Sequence, residues 1–292
     1  MFEIECPSGL KFIARKFKGA ELHSIQERVS PNAMGDTIAD VLHGCHMETI
    51  DAGPYREGTA SVGNAKPAFK RVLFKDAWAA LLLLRNATFP NFAGAYSFEF
   101  HCSDAMCREI DSSTVPLDKL LARMQPLPEA SFRRLQNGEA FESVVEGRRV
   151  KWDLPRMAQQ APMREFMKKN NLRADSALTQ ICRQLLNVEG AKLQRMDFFW
   201  KWAKELDGDS IDQLLYEMES ADAKVDTRVV VQCRHCQNKQ KIQLPLGTSF
   251  FRPRLEMLED EMERDVSFSE LSTESTTSSD RTDTQNDAPT GP

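Results

Sequence analysis

A chain of 292 residues holds enough material for one large domain or two ordinary ones, and 41% apolar with 28% charged residues is the composition of a soluble globular protein. The net charge of −5 argues against a polycation built to grip nucleic acid, and the longest apolar run, Ala77 to Leu84, falls far short of the roughly 20 residues of a membrane-spanning helix. Seven cysteines, an odd number, do not form a secreted disulfide framework, and Phe2-Glu3-Ile4-Glu5-Cys6 lacks the apolar segment of a signal peptide, so the expectation is a cytoplasmic protein whose thiols are free for metal.

Glu3 to Phe17 alternates in polarity and turns at Pro7-Ser8-Gly9, which predicts a hairpin with strands near 2–6 and 10–17. A lone hairpin is marginal, so it must pack on something. Ser30-Pro31 offers an N-cap and a first-turn proline for a short helix with Met34, Ile38, Val41, Leu42 and Cys45 on one face. Gly53-Pro54, Gly58, Gly63-Asn64 and Pro67 make 51–70 a loop. Asp76 is expected to cap a helix over 77–86 that is apolar almost all round, hence buried and central. Farther on, Phe141, Ser143 and Val145 alternate, Glu146-Gly147 turns, and Val150, Trp152 and Leu154 alternate back, which makes a second hairpin. Helices are expected over 156–169, 175–188, 196–206 and 210–220, with Gly190 and Gly208 as stops and Asp209 or Ser210 as the last cap. Order is predicted to end near Pro253, followed by a charged helix over 254–265 and, from Ser267, a disordered acidic tail.

Two cysteine pairs stand out against this background. Cys102-x4-Cys107 follows the alternating Tyr96-Phe98-Phe100, and Cys233-x2-Cys236 follows Val229-Val231. A tight turn at a strand end presents two thiolates at once, and two such turns supply the four soft ligands of a closed zinc site. Both knuckles are therefore expected on hairpin tips that face each other around one structural zinc, with Cys102, Cys107, Cys233 and Cys236 as ligands. Neither second cysteine is followed by the glycine that eases such a turn, and Asn238, which tolerates the left-handed conformation, is expected to take its place. His101 and His235 are rival ligands beside the cysteines, more simply read as solvent-facing spectators.

Other candidates read as structure. Cys45 in His43-Gly44-Cys45-His46 continues an apolar helix face, Cys6 and Cys182 fit core positions, and Phe198-Phe199-Trp200 with Trp202 is a core or partner-facing stripe. No Gly-rich phosphate loop, paired-carboxylate pattern or Gly-x-Ser-x-Gly elbow is present, so no enzyme and no small-molecule substrate are expected. Basic residues gather at Lys11, Arg15, Lys16 and Lys18, and at Arg228, Arg234, Lys239 and Lys241. Zinc ribbons can set such residues on phosphate, which keeps a nucleic-acid-binding or transcription-modulating protein as the alternative. Exposed strands also carry lysine as edge-protecting charge.

Several segments together resemble a known family. Cys6-Pro7-Ser8-Gly9-Leu10 opens a hairpin, Asp51-Ala52-Gly53-Pro54-Tyr55 follows, and the stretch from Leu81 to Pro90 runs into the first knuckle strand. Val225-Asp226-Thr227 leads through Cys233-Arg234-His235-Cys236 to Leu244-Pro245-Leu246-Gly247-Thr248-Ser249-Phe250-Phe251-Arg252-Pro253. In this order they resemble the T4-type phage baseplate hub and hub-assembly proteins, over residues 3 to 253. The resemblance implies a non-enzymatic protein of contractile-tailed phages that binds other tail and baseplate hub proteins in the host cytoplasm. It places the family's knuckle cysteines at Cys102, Cys107, Cys233 and Cys236.

The expected fold is α+β. Small β-hairpins and a zinc-ribbon-like four-cysteine unit are interrupted by an inserted hairpin-plus-helices subdomain and followed by the acidic tail. The N-terminal hairpin and helical region covers 1–95, the two arms of the four-cysteine unit 96–115 and 225–253, the insertion 116–224, and the charged helix and tail 254–292.

Overall fold

The first hairpin pairs β1 (Phe2–Glu5) with β2 (Lys11–Ala14), Phe2 opposite Ala14 and Glu5 opposite Lys11. Its turn closes through Cys6 N–H to Leu10 O and Gly9 N–H to Cys6 O, both 2.9 Å, with Gly9 at φ +91, a conformation glycine adopts without steric cost. Helix α1 (Met34–Cys45) buries Ile38, Val41, Leu42 and Cys45 and runs directly into β3 (His46–Asp51), which pairs antiparallel with β2. This third strand was not expected. Two register shifts in its pairing leave Met47 and Ile50 outside and turn His46 and Thr49 inward, three residues apart, so the period-2 signal of a strand is lost. His46 lies against the rings of Phe12 and Phe69 with its Nε2 2.8 Å from Thr49 Oγ1. Burial, helped by Lys66 and His43, brings its pKa down to about 4, which makes it a neutral core histidine.

We describe residues 1–19, 21, 34–90, 95–172, 176–190, 195–225, 228–245 and 248–251 of a computed structural model. All lie in one compact unit. The Ser30-Pro31 cap, the 254–265 helix and the acidic tail lie outside the described residues.

Helix α2 (Phe74–Thr88) is the central element, burying Ala77, Trp78, Ala80, Leu81, Leu82 and Leu84. It starts three residues earlier than expected, and Asp76 is not its cap. Leu73 holds that position without a side-chain cap, and the Phe74 N–H is taken by Pro155 O at 2.8 Å. The Asp76 carboxylate instead faces the hairpin turn. Oδ1 accepts the Ser8 N–H at 3.0 Å, while Oδ2 accepts the Ser8 hydroxyl and the Tyr55 hydroxyl, the latter at 2.6 Å. Tyr55 Oη in turn accepts the Leu73 N–H at 2.9 Å. One buried carboxylate thus ties hairpin, loop and helix together.

That burial has a pH consequence. Desolvation, opposed by the hydrogen bonds from Ser8 and Tyr55, pushes the Asp76 carboxyl up to about 6. A folded pKa above the unfolded value of about 3.9 means that the native state binds the extra proton between them. The contribution, at most about 3 kcal/mol, is complete below the unfolded pKa and lost as pH rises through about 6. Denaturation of wild type and Asp76→Asn across pH 4 to 7 should show the stability difference shifting against wild type as pH rises. A flat difference would remove this assignment.

β4 (Tyr96–His101) and β5 (Ile110–Val115) form a two-stranded sheet, followed by α3 (Leu117–Ala122) and α4 (Glu129–Asn137), two short helices the sequence did not announce. β6 (Phe141–Val145) and β7 (Arg148–Trp152) make the expected hairpin, with Phe141 stacked on Trp152 at 4.5 Å. A 3-10 turn (Met157–Gln159) leads into α5 (Gln160–Asn170). The next helix, α6 (Ala177–Gln184), is capped by Ser176, whose Oγ accepts the Thr179 N–H at 3.2 Å. It ends four residues short of expectation, because Leu185 is extended and opens β8 (Leu185–Val188), which pairs with β7. Helix α7 (Met196–Glu205) follows, then α8 (Gly208–Ala221). Gly208 is the first residue of α8 and not a stop, and its cap is Asp207, which accepts the Ser210 N–H at 2.7 Å; Asp209 and Ser210 lie inside the first turn. β9 (Arg228–Gln232), β10 (Lys239–Gln243) and the single turn α9 (Thr248–Phe251) complete the described chain.

The result is a mixed α+β fold of small antiparallel sheets over a continuous core. Residues 116–224 are sewn to the N-terminal region. Leu73 bridges Arg156, Leu127 N–H donates to Pro7 O at 2.8 Å, and Lys75 pairs with the buried Asp222 at 3.0 Å, while Gln125 bridges Lys224 between the two ends of 116–224 itself.

Candidate metal centre

Both cysteine pairs sit on hairpin tips. Along β4 the residues Tyr96, Phe98 and Phe100 point inward, and along β9 Val229 and Val231 do, so the alternation delivers Cys102 and Cys233 to the inner side where each strand ends. The first cysteine of each pair closes its loop, with Cys102 N–H on Glu109 O at 2.9 Å and Cys233 N–H on Asn238 O at 3.0 Å. The longer first loop is filled by Asp104, whose Oδ1 accepts the N–H groups of Met106 at 2.8 Å and Cys107 at 3.2 Å. The left-handed residue is not Asn238. It is the residue directly after each second cysteine, Arg108 at φ +51 and Gln237 at φ +62, the two positions where a glycine would sit.

The structure brings all four thiols together. Cys102 Sγ lies 3.5 Å from Cys236 Sγ, Cys107 Sγ lies 3.8 Å from Cys233 Sγ, and the four sulfurs are within 4.8 Å of one another. A disulfide needs about 2.05 Å, so these are free thiols. A tetrahedron of zinc–sulfur bonds of about 2.3 Å has edges of about 3.8 Å, close to the 3.5 and 3.8 Å of these two pairs, and the widest separation stays within 4.8 Å. Backbone N–H groups of Cys236 and His235 favour the Cys233 thiolate, that of Glu109 the Cys107 thiolate and that of Asn238 the Cys236 thiolate. Even so, burial and the sulfurs of Cys102, Cys107 and Cys233 push Cys236 up to about 12. Four thiols this close cannot all ionise alone, and a cation in their midst removes that penalty. The donor set therefore fits a metal ion. Among the described residues the group is made of cysteines only; His101 and His235 are exposed.

A charged pair lies beside the thiols. Burial works to raise the Asp111 carboxyl, but the Arg234 side chain, the Arg234 N–H and the Ser112 N–H outweigh it and hold it at about 2. The remaining thiols are packing groups, as expected. Burial pushes Cys45 up to about 11, Cys182 up to about 12 and Cys6 well above the ordinary thiol range. Phe199 and Trp202 are in the core, with Phe198 and Trp200 packed against it.

With the geometry in hand, comparison with known protein families, curated proteins and solved structures finds no match for this chain.

The strained knuckle residue gives a local prediction. An L-residue in the left-handed region costs roughly 1–2 kcal/mol, and glycine loses roughly 0.5–1 kcal/mol of chain entropy in exchange. Arg108→Gly should therefore stabilise the protein, by on the order of 0.5–1 kcal/mol, seen as a raised melting temperature in zinc-containing buffer. A lowered one would mean that the exposed Arg108 side chain contributes more than its backbone costs.

Proposed function

We propose that Cys102, Cys107, Cys233 and Cys236 hold one structural zinc ion in a zinc-ribbon-like unit, with arms at 96–115 and 225–253 and residues 116–224 inserted between them. The convergence of four sulfurs from the two arms carries this reading. Four cysteine ligands close a zinc site and leave no position for substrate, so the unit acts as a scaffold and not as a catalyst. We further propose that the protein is a non-enzymatic phage tail protein, a baseplate hub component or hub assembly factor. It would act in the host cytoplasm by binding other tail and hub proteins. The resemblance over residues 3–253 supports this, and its most specific stretch, which runs to Pro253, includes Phe250 and Phe251, both buried. Among the described residues no helix is long and apolar enough to cross a membrane.

Metal analysis of purified protein should give one zinc per chain. Co-expression with phage tail and baseplate hub proteins should give a stable complex, and failure to associate with any of them would sink the hub reading. A second reading, nucleic-acid binding, is favoured by one face of the β9–β10 hairpin, where Arg228, Val230 and Gln232 lie opposite Gln243, Lys241 and Lys239. Arg234 lies beyond the end of β9, and its guanidinium is engaged by Asp111. This reading requires DNA or RNA binding that weakens steeply with salt and is lost when Lys239 and Lys241 become alanine. Absent or salt-insensitive binding would dismiss it.

A further inference from the structure

The four thiols are only the inner layer of the joint between the two arms. On one side Asp111 of β5, its side chain fully buried, reaches the second knuckle. Its Oδ2 accepts the Arg234 backbone N–H at 2.7 Å, and its Oδ1 accepts Nε–H of the same residue at 2.6 Å along with a second guanidinium N–H. The Ser112 N–H orients the carboxylate at 2.7 Å, and Ser112 Oγ accepts from Arg234 at 3.0 Å. On the other side the Gln240 amide runs from β10 to the first knuckle. Its Oε1 accepts the Ser103 N–H at 2.6 Å, and its Nε2–H donates to His101 O at 2.8 Å. Asn238 adds a bond from Nδ2–H to Ser103 Oγ at 3.1 Å.

These bonds grip backbone that carries ligands. Arg234 lies between Cys233 and Cys236, while His101 and Ser103 flank Cys102. Apart from the Ser112 N–H, every one of them joins opposite arms, and those of Asp111 and Gln240 involve no sulfur, while Asn238 Nδ2 also lies 4.0 Å from Cys102 Sγ. The Asp111 charge is balanced by Arg234, so the latch sets no bare negative charge beside the thiolates.

Building on the reading of the cluster as a metal site, we propose that Asp111 and Gln240 are positioning residues of the metal centre. They dock the two knuckles in register without the ion, so that metal loads onto thiols already converged. A site assembled by its ion spends part of the binding energy on ordering the arms. A docked site does not, and residues that orient metal ligands from the layer behind them are worth about ten- to a hundred-fold in affinity.

The test uses the reduced, metal-stripped full chain, titrated with Zn2+ against a competing chromogenic chelator, for wild type, Asp111→Ala, Asp111→Asn and Gln240→Leu. Wild type should bind one equivalent, and Asp111→Ala and Gln240→Leu should each bind about ten- to a hundred-fold more weakly. Their zinc-loaded circular dichroism should match wild type. Asp111→Asn keeps an acceptor for the Arg234 N–H and should recover part of the lost affinity. If Asp111→Ala does not fold, Gln240→Leu, at the rim of the joint, gives the same reading. Wild type that takes up no zinc overturns the metal reading itself. Wild type that binds while the foldable variants bind as tightly overturns the positioning role alone.

Discussion

Replacing Arg85 by methionine should destabilise the protein by on the order of 3 kcal/mol, a larger loss than any surface charge could cause. Arg85 is fully buried in the long central helix α2. Its Nε–H donates to Phe250 O at 3.0 Å and an Nη2–H to Ala95 O at 3.0 Å, while the guanidinium lies 5.5 Å from the Tyr96 ring centre and 5.3 Å from that of Phe250. Burial brings its pKa down to about 10, so the side chain stays charged at neutral pH. A buried ion is costly in itself, and exchanging a whole buried pair for apolar groups is often neutral. Here the acceptors are main-chain carbonyls that a side-chain substitution cannot remove. Methionine fills the volume but leaves both oxygens unsatisfied, at roughly 1–3 kcal/mol each. For a unit of this size the melting temperature should fall by roughly 6–12 °C. An unchanged melt would mean that water reaches the two carbonyls.

Arg85 also shows where the sequence stops being legible. Its helix is readable from the apolar run Ala77 to Leu84, but nothing local says that one arginine inside it holds the start of β4 and the final turn α9. The knuckles were readable because metal-ligand spacing is a short-range signal, and strand alternation fixes which way a hairpin tip faces. The strands β3 and β8 were not. Each pairs through a bulge that leaves its inward residues three apart, His46 with Thr49 and Leu185 with Val188. A spacing of three mimics a helix face, which is why Leu185 reads as the end of a helical stripe. Asp76 failed for a related reason. An aspartate before an apolar run has the form of an N-cap, and only the arrival of Ser8 and Tyr55 from elsewhere in the chain makes it a buried tie. The left-handed positions Arg108 and Gln237 are marked by their place after each second cysteine but not by residue type, since their φ goes with backbone closure of the loop, Arg108 N–H on Asp104 O at 3.1 Å and Gln237 N–H on Cys233 O at 2.8 Å.

The double variant Cys233→Ser, Cys236→Ser should lose the metal and with it the stability that binding confers. A ligand held only by the native state adds about 4 kcal/mol when its free concentration is a thousand times Kd, which corresponds to a melting difference of roughly 8–16 °C in a unit this large. Serine cannot replace cysteine here, because a hydroxyl stays protonated at neutral pH and offers a hard oxygen in place of a soft thiolate. The control is a chelator. In its presence wild type and variant should melt close together, since the four thiols then contribute only packing. A gap that persists under chelation would assign the loss to packing and not to metal. Coincident melts with zinc present would mean that the ion contributes nothing to the fold. Lowering the pH should narrow the gap from the wild-type side, because binding requires the thiols to give up protons and Cys236 in particular is held protonated by its neighbours when no cation is there. Since Asp111 and Gln240 join the arms without the sulfurs, the variant should keep its native secondary structure at room temperature. The missing metal should then appear as a lower unfolding temperature and not as an unfolded protein, which separates this clasp from the zinc fingers that are unfolded until their ion arrives.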